Sequence, residues 1–321
     1  MTDTFTPSEA AALSTRILDE TERAIVGKRE ALTKLLAGIY AGGHVLLEDY
    51  PGLGKTLTAH SFALALGLEF RRAQFTPDLL PADLTGSEVF NQKTNEFEFR
   101  PGPVFTGLLL ADEINRTPPK TQAALLEAMQ ERQVSIEGTT HALPRPFHVL
   151  ATANPVETEG TYPLPEAQLD RFLMRLTFGY PSADDEWDVI ARRIERREES
   201  IDVERVLQAG ELEKLQRSVE TIHVSEAVGR YAVALVRETR EHSETAMGSS
   251  PRGSLALIQC ARALALIQGR EFVIPEDIKT LAHACLEHRV VIRPELWLQN
   301  ISPASVIDSI LTRVPTPEAA A

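Results

Sequence analysis

Residues 49–56 join a glycine-rich turn to a lysine and a threonine, and these residue types at this spacing favour phosphate binding. Directly after the apolar residues 44–47, the segment reads Asp49-Tyr50-Pro51-Gly52-Leu53-Gly54-Lys55-Thr56. Glycines carry no Cβ atom, so backbone N–H groups can converge on an anion. The Lys55 ammonium can then reach the β- and γ-phosphates, and the Thr56 hydroxyl can ligate Mg²⁺.

The flanking sequence agrees with this interpretation and departs from the usual pattern at one position. Residues 57–66 are rich in Ala and Leu and predict a helix whose N-terminus, at Leu57, faces the phosphates. The common pattern has glycine where this chain has Asp49. Pro51 can stiffen the turn instead. A glycine-rich loop alone is often only a tight turn, but the preceding strand, the following helix and the Lys-Thr pair favour a nucleotide site.

The second informative feature is a pair of acids at the end of an apolar run. Residues 108–111 show no polar alternation, which predicts a strand buried on both faces of a parallel sheet. Asp112 and Glu113 then lie at its carboxyl end, where open α/β sheets bind ligands. We expect Asp112 to be a direct or outer Mg²⁺ ligand and Glu113 to polarise the attacking water. The simpler alternative is that Asp112 and Glu113 are only two solvated acids at the end of a strand. Together with the phosphate loop, the pair predicts nucleotide hydrolysis.

Asn154 is a candidate for contact with the γ-phosphate. It follows the predicted strand 148–153, so its amide can hydrogen-bond both the phosphate and the attacking water. The alternative is that Asn154-Pro155 only begins a turn.

Three arginines are candidates for contacts across a subunit or domain boundary. Arg171 is a candidate arginine finger, offered to the nucleotide of a neighbouring subunit. It could also be a surface arginine paired with Asp170, an arrangement that contributes little. Arg252 lies at the start of a predicted helix and could contact nucleotide from a second domain, and Arg116 is a further possible cross-subunit cation.

The segments between residues 44 and 179 alternate between strand and helix patterns. The predicted strands are 44–47, 69–74, 108–112, 148–153 and 174–178. Such alternation predicts a five-stranded parallel sheet covered by helices on both faces. Two insertions, 85–100 and 133–147, have the alternation and turn residues of β-hairpins. A helix is predicted over about 118–131, with Thr117 as its N-cap.

The pattern on either side of this region is helical. Residues 8–40 predict helix with a break at 25–28, and helices alone follow residue 180. The predicted C-terminal helices are 184–199, 204–220, 225–241, 253–268 and 275–288. We therefore predict an α/β fold with four parts, which are an N-terminal helix (1–20), an α/β core (21–180), an all-helical lid domain (181–314) and a flexible tail (315–321).

Composition restricts the class of partner. The 321 residues include 33 Lys plus Arg against 46 Asp plus Glu, a net charge of −13, and only 6% are aromatic. Nucleic-acid binding depends on basic contacts to phosphates and, for single strands, on stacking, so a nucleic-acid partner is disfavoured.

Other sequence features bear on location. No apolar run approaches the roughly 20 residues that span a bilayer. Residues 1–5 lack the basic-then-apolar pattern of a secretory signal. Cys260 and Cys285 lie in helical surroundings and predict buried free thiols in a reducing compartment. We therefore expect a cytoplasmic protein without a transmembrane segment.

Over nearly its whole length the chain resembles the MoxR family of AAA+ ATPases. The segments that carry the resemblance are 43–49, 74–81, 111–116, 127–134, 159–172 and 250–252. The family usually has Glu-Asp where this chain has Glu48-Asp49, so Asp49 agrees with the family pattern. The resemblance implies a P-loop NTPase core, with a Walker A motif at 49–56 and a Walker B motif at 108–113.

The resemblance also implies roles for residues outside these motifs. Asn154 would be sensor 1, Arg171 a finger acting in trans and Arg252 sensor 2. Val26 and Gly27 lie in the segment that contacts adenine in relatives, although by themselves they read as a turn between two helices. The two hairpins would lie on the ring surface or in the pore and could contact substrate, or could be ordinary surface hairpins.

The implied activity is Mg²⁺-dependent ATP hydrolysis in a homo-oligomeric ring, commonly a hexamer. Members are similar to chaperone-type remodellers, often acting on partners that carry von Willebrand factor type A domains. Three alternatives remain open at this point. They are a DNA-directed motor similar to helicases, a metal-chelatase ATPase subunit, and a nucleotide-gated scaffold with negligible turnover. Intact Glu113, Asn154 and Arg171 argue against the scaffold.

Overall fold

The protein is built around a five-stranded parallel sheet, seen in a computed structural model that describes residues 4–155, 160–198, 201–299 and 301–317. The strands, in chain order, are β1 (Val45–Glu48), β2 (Phe70–Gln74), β3 (Gly86–Asn91), β4 (Glu96–Pro101), β5 (Leu108–Asp112), β6 (Gln133–Ile136), β7 (Thr139–Ala142), β8 (His148–Ala153), β9 (Met174–Leu176), β10 (Thr245–Met247) and β11 (Val291–Ile292). The central sheet has the order β2-β5-β8-β1-β9, and β3–β4 and β6–β7 form separate antiparallel hairpins.

Helices flank the sheet and make up most of the chain after residue 180. They are α1 (Pro7–Glu22), α2 (Arg29–Tyr40), α3 (Lys55–Leu66), α4 (Pro81–Thr85), α5 (Pro119–Glu131), α6 (Glu166–Leu169), α7 (Ala183–Arg196), α8 (Glu211–Val219), α9 (Glu226–Glu241), α10 (Pro251–Ile267), α11 (Pro275–Leu286) and α12 (Pro303–Arg313). Short 3₁₀ turns cover Ile114–Arg116, Glu287–Arg289 and Pro294–Gln299.

The sheet is apolar on both faces because helices cover both. Val45 and Leu47 of β1 pack in a cluster with α2, α3 and the C-terminal helices, while Leu46 between them packs with α5. All of β5 and β8 is buried. This explains why these strands show continuous apolar runs and not the alternation of a half-exposed strand.

The predicted fold class is confirmed, with differences at several boundaries. Residues 204–210 do not extend the predicted helix 204–220; α8 begins only at Glu211. The predicted Thr117 cap is shifted, since Pro118 is the N-cap of α5. The helical lid also holds a short antiparallel pair, β10–β11, which the pattern of helices alone did not predict. Residue 199 of the predicted helix 184–199 and residues 318–321 of the predicted tail lie outside the described residues.

Salt bridges join the lid to the core at β9. Arg289, nearly buried, donates from Nε to Asp170 Oδ1 at 2.8 Å and also reaches the Phe172 carbonyl. Arg175 of β9 pairs with Glu48 at 2.8 Å and with Glu287 of the lid at 3.2 Å. A buried guanidinium needs several partners to offset its desolvation, and Arg289 has them. The lid is therefore held firmly against the last strand of the core.

Two further predictions concern the chain as a whole. Cys260 and Cys285 are buried free thiols, as expected. Within the described ranges, no helix combines the length and the apolar character that crossing a bilayer requires.

His44 and His148 form a buried pair at the amino edge of the sheet. His44 Nδ1 accepts a hydrogen bond from Val149 N–H, and His148 Nδ1 lies 3.0 Å from the Gly43 carbonyl oxygen. Burial, with a smaller contribution from the Arg132 charge, lowers the pKa of His44 to about 3 and that of His148 to about 4. Both rings are therefore neutral in the folded protein at pH 7.

Acid is expected to destabilise the protein through these rings. The unfolded chain takes up their protons near pH 6.5 and the folded protein only near pH 3–4, so stability is present above pH 6.5 and is lost as the pH falls. We expect each ring to lower the free energy of unfolding by about 1 kcal/mol between pH 7.5 and 5.5.

Urea unfolding at several pH values measures this effect. The hydrogen bond to Glu287 raises the pKa of His283, so protonation of His283 stabilises the folded protein as the pH falls. His283→Gln removes this opposing effect and should steepen the fall in unfolding free energy between pH 7.5 and 5.5. An unfolding free energy that stays constant from pH 7.5 to 5.5 in both proteins would contradict the assignment.

Candidate nucleotide site

The phosphate loop runs from β1 into α3 at the carboxyl edge of the sheet. Gly52 and Gly54 have φ values of 82° and 76°, in the left-handed region that favours glycine. Gly54 is the N-cap of α3, and no side chain caps its first turn. A Cβ atom on Gly52 would project into open space. The first N–H groups of α3 are therefore available to an anion.

Most of the predicted site residues line one cavity of about 390 Å³ beside this loop. Its lining consists of Pro51, Gly52, Gly54, Lys55, Thr56, Leu57, Asp112, Glu113 and Asn154. Leu53 lies within the loop between the two glycines and is half-buried. The structure thus brings together the end of β1, the start of α3 and the ends of β5 and β8, as parallel strands permit.

Lys55 is held by the loop itself. Its ammonium donates a hydrogen bond to the Asp49 carbonyl oxygen. Burial lowers the pKa of Lys55, while the nearby charges of Asp49, Asp112 and Glu113 raise it. The ammonium therefore lies among acids and close to the cavity that would hold phosphates.

Asp112 is fixed by two neighbours. Its Oδ2 accepts from Arg72 Nη2 at 2.6 Å and Nε at 3.0 Å, and its Oδ1 accepts from the Thr152 hydroxyl at 2.6 Å. It is 8% exposed. Charge-assisted hydrogen bonds of this kind hold a carboxylate in one orientation.

Glu113 has an unusual backbone. Its φ and ψ of 59° and 49° lie in the left-handed region, which costs a residue with a side chain about 1–2 kcal/mol. The conformation is held by a hydrogen bond from Glu113 N–H to the Thr152 hydroxyl at 2.7 Å. Gln74 Nε2 donates to Glu113 Oε2 at 2.7 Å, and Arg116 Nε lies 3.4 Å from the same oxygen. Strain of this kind is found at functional sites.

Arg72, Gln74 and Thr152 were missed by the sequence analysis. The register of β2 against β5 places Arg72 beside Leu110 and Gln74 beside Asp112. Polar residues at alternate positions near the end of a predicted strand were the available signal, but only the strand order shows that β2 neighbours β5.

Asp49 does not contact the cavity with its carboxylate. It is 2% exposed, and its Oδ2 accepts from the N–H groups of Phe178 and Gly179 at 2.6 and 2.9 Å. The Asp49 carboxylate is thus engaged within the protein, and the assignment of Asp49 to nucleotide binding stays a prediction. Its role is to tie the start of the phosphate loop to the chain that leaves β9.

The predicted adenine segment lies in a different cavity from the phosphate loop. Gly27, with φ of 70°, lines a cavity of about 380 Å³ together with Lys28 and Phe178. Val26, beside it, is half-buried. The structure does not bring Val26 and Gly27 into the phosphate cavity itself.

Arg171 and Arg252 lie together, but away from the phosphate loop of their own chain. Both line a third cavity, of about 300 Å³, with Gly43 and Leu255. Arg171 comes just before β9 and Gly43 just before β1, so this cavity is at the amino edge of the sheet. The phosphate loop lies at the opposite, carboxyl edge, and four residues of β1 separate the two. Neither arginine lines the phosphate cavity of its own chain.

Asp170 does not neutralise Arg171. Its Oδ1 accepts from Arg289, and its Oδ2 accepts from Oγ of Ser250, the N-cap of α10. The same Oδ2 lies 4.0 Å from Arg252 Nε. Within the part of the chain that the structure describes, we find no hydrogen bond or ion pair to the Arg171 guanidinium. The alternative of a simple Asp170–Arg171 surface pair is therefore wrong.

The donor set around the cavity fits Mg²⁺ with a nucleotide phosphate. Mg²⁺ usually keeps several waters and takes one or two protein oxygens plus phosphate oxygens. The Thr56 hydroxyl and the oriented Asp112 carboxylate are such oxygens at this cavity. Because Thr152 and Arg72 already engage both oxygens of Asp112, an outer contact through water suits it better than a direct bond.

Comparisons with known proteins agree with the fold and the motifs. Residues 44–174 match the family described as "ATPase family associated with various cellular activities (AAA)", and residues 237–310 match the AAA lid domain. The chain is 47% identical to the uncharacterized protein YeaC of Bacillus subtilis, covering 94% of each chain.

Two further similarities cover most of the chain. It is 43% identical to chaperone MoxR1 of Mycobacterium tuberculosis, over 94% of this chain and 82% of the relative. A crystal structure of a protein from Cytophaga hutchinsonii superposes with a TM-score of 0.90 at 40% identity, covering 97% of each chain. With the loop, the acid pair and the lid in place, these similarities show that the chain belongs to the MoxR family of AAA+ ATPases.

Proposed function

We propose that this protein hydrolyses Mg²⁺-ATP at the boundary between subunits of a homo-oligomeric ring, and uses the energy to remodel a protein partner. The observation that carries the proposal is the single cavity of about 390 Å³ that gathers Lys55, Thr56, Asp112, Glu113 and Asn154. Residues from three separate strand ends meet there, and each is of a type that ATP hydrolysis uses.

Each residue has a distinct task in this proposal. Lys55 and the N–H groups of α3 bind the β- and γ-phosphates, while Thr56 and Asp112 would hold Mg²⁺. Bound Mg²⁺ would neutralise charge that develops on the phosphate oxygens. Glu113 orients and polarises the water, and its hydrogen bond from Gln74 fixes the carboxylate. Asn154, 6% exposed at the end of β8, positions the water and the γ-phosphate.

The position of the two arginines supports a ring. Arg171 and Arg252 lie at the sheet edge opposite the phosphate loop. A guanidinium stabilises phosphoryl transfer only when it reaches the transferred group. Both arginines therefore act on the nucleotide of the next subunit, and head-to-tail repetition of that contact closes a ring, for which we propose six subunits.

We propose a protein as the substrate, and a partner with a von Willebrand factor type A domain as a specific candidate. A similar protein is named a chaperone, and the net charge of −13 disfavours nucleic acid. Hydrolysis that DNA stimulates, with salt-dependent DNA binding, would contradict this part of the proposal.

Lys55→Ala tests the phosphate site. Removing a partly buried ammonium that contacts phosphate should cost about 1.5–3 kcal/mol, which weakens Mg²⁺-ATP binding about 10- to 100-fold. Isothermal titration calorimetry measures the affinity. Lys93→Ala, which replaces an exposed lysine in the turn between β3 and β4, is the matched control and should bind as the unchanged protein does. Equal affinity in the two variants would remove Lys55 from the site.

A further inference from the structure

Asp170 joins the core segment that carries Arg171 to the lid helix that carries Arg252. Its Oδ1 accepts from Arg289 Nε at 2.8 Å, and its Oδ2 accepts from the Ser250 hydroxyl at 3.0 Å. The Ser250 oxygen in turn accepts from the Arg252 N–H at 3.1 Å. A continuous chain of hydrogen bonds therefore runs from the residue before Arg171 to the backbone of Arg252. We call Asp170, Ser250 and Arg289 the junction.

Arg289 of the lid also binds the backbone on both sides of Arg171. Its Nη2 donates to the Phe172 carbonyl oxygen at 2.6 Å and to the Asp170 carbonyl oxygen at 3.3 Å. Its Nη1 donates to the Leu173 carbonyl oxygen at 3.3 Å. The Arg289 side chain is only 3% exposed, and a planar guanidinium with so many acceptors has few alternative positions. The lid therefore fixes the path of the chain segment that bears Arg171.

The charges around the junction explain why its acid is needed. Among the described residues that line the cavity of Arg171 and Arg252, Arg289 is a further cation and Asp170 is the only acid. One carboxylate thus lies among three guanidinium groups and offsets their mutual repulsion. Its hydrogen bonds go to Arg289 and Ser250, and the Arg252 side chain stays 51% exposed. Both Arg171 and Arg252 therefore remain available to an anionic group.

We propose that the junction positions Arg171 and Arg252 as one unit, so that both guanidinium groups reach the same γ-phosphate. Arg171 belongs to the core and Arg252 to the lid, so without the junction any rotation of the lid would change their separation. Asp170, Ser250 and Arg289 act through the two arginines and are positioning residues. This inference rests on the proposed function, in which the two arginines stabilise phosphoryl transfer.

Ser250→Ala tests the junction with a small change. It removes the hydroxyl that links Asp170 to α10, so kcat should fall about 10-fold while ATP affinity by calorimetry stays within about 3-fold. Ser225→Ala, which removes the N-cap serine of α9, is the matched control, because it loses a cap of the same type without touching the junction. Ser250→Thr keeps a capping hydroxyl and should stay within about 3-fold of the unchanged rate. Equal kcat in Ser250→Ala and Ser225→Ala overturns the inference but leaves the proposed function standing.

Asp170→Asn tests the charge of the junction. The amide keeps the size of the side chain but weakens its hold on Arg289. A displacement of about 1 Å in a catalytic group can lower a rate about 10²-fold, so we expect a loss of that order in kcat and little change in ATP affinity. Asp188→Asn, which removes an exposed partner of Arg192 on α7, is the matched control and should keep the unchanged rate. An Asp170→Asn protein that unfolds in urea like the unchanged protein and hydrolyses ATP as fast overturns the inference.

Mixing separates positioning of the arginines from general damage to the variant chain. Asp170→Asn retains an intact phosphate loop, and Lys55→Ala retains an intact junction. A mixture of the two should recover activity to the same extent as Arg171→Ala mixed with Lys55→Ala. Recovery with Arg171→Ala but not with Asp170→Asn means that the defect lies within the variant chain itself, which overturns the inference alone. No recovery in either mixture overturns the proposed action of the arginines across the subunit boundary.

Discussion

Replacing Glu113 with glutamine is expected to leave ATP bound but almost unhydrolysed. The glutamine side chain keeps the size of the glutamate and can still meet Gln74, but it cannot polarise water as a carboxylate does. General-base catalysis contributes about 10²–10⁴-fold, so we expect the ATPase rate to fall by on the order of 10³-fold. Steady-state phosphate release measures the rate, and calorimetry measures ATP affinity, which should change less than about 3-fold.

The control for this variant is Glu127→Gln, which replaces an exposed acid on α5. It should hydrolyse ATP at the unchanged rate. If Glu113→Gln turned over ATP as fast as Glu127→Gln, the strained left-handed backbone at residue 113 would need another explanation and the water-activating role would be rejected.

Replacing Arg171 with alanine is expected to lower turnover by on the order of 10³-fold or more, the effect typical of an arginine finger. ATP affinity should stay nearly unchanged, because Arg171 lies at the sheet edge opposite its own phosphate loop. Arg230→Ala removes an exposed arginine of α9 and is the matched control. Phosphate release by the assembled proteins gives the comparison.

Mixing shows whether Arg171 acts on the next subunit. Arg171→Ala retains an intact phosphate loop, and Lys55→Ala retains an intact arginine. A mixed ring contains some interfaces that combine the two intact parts, so part of the activity should return. Activity that stays at the level of the separate variants at every mixing ratio would contradict action in trans.

Much of the fold followed from local patterns in the sequence. The runs 44–47, 108–112 and 148–153 predicted strands because burial on both faces of a parallel sheet leaves no polar alternation. The helix after the phosphate loop followed from Ala and Leu content, but it begins at Lys55, two residues before the predicted start at Leu57. Local sequence patterns predicted secondary structure less well where contacts between distant residues decide the conformation. Residues 203, 206 and 207 are buried against the core without helix, with Val206 N–H bonded to the Ala65 carbonyl.

The site shows the same division. Asp112, Glu113 and Asn154 could be named from the sequence because each ends or directly follows a strand, and parallel strands bring these ends together. Lys55 and Thr56 could be named because they follow the glycine-rich loop after β1. For Asp49 the sequence shows that a carboxylate is present, but only the structure shows that this carboxylate accepts hydrogen bonds from the backbone N–H groups of Phe178 and Gly179 after β9.

The sequence by itself predicted the chemistry, since glycine, lysine, threonine and paired acids at these spacings favour phosphate binding and transfer. Only the tertiary structure decided which groups share a cavity and which face away. Strand order put Arg72 and Gln74 on the acid pair. Arg171 lies at the opposite edge of the sheet because it precedes β9, which runs parallel to β1. The tertiary structure also left Trp187, Ile190 and Ile194 of α7 exposed. Those outcomes depend on contacts between residues far apart in the chain, which spacing along the chain does not encode.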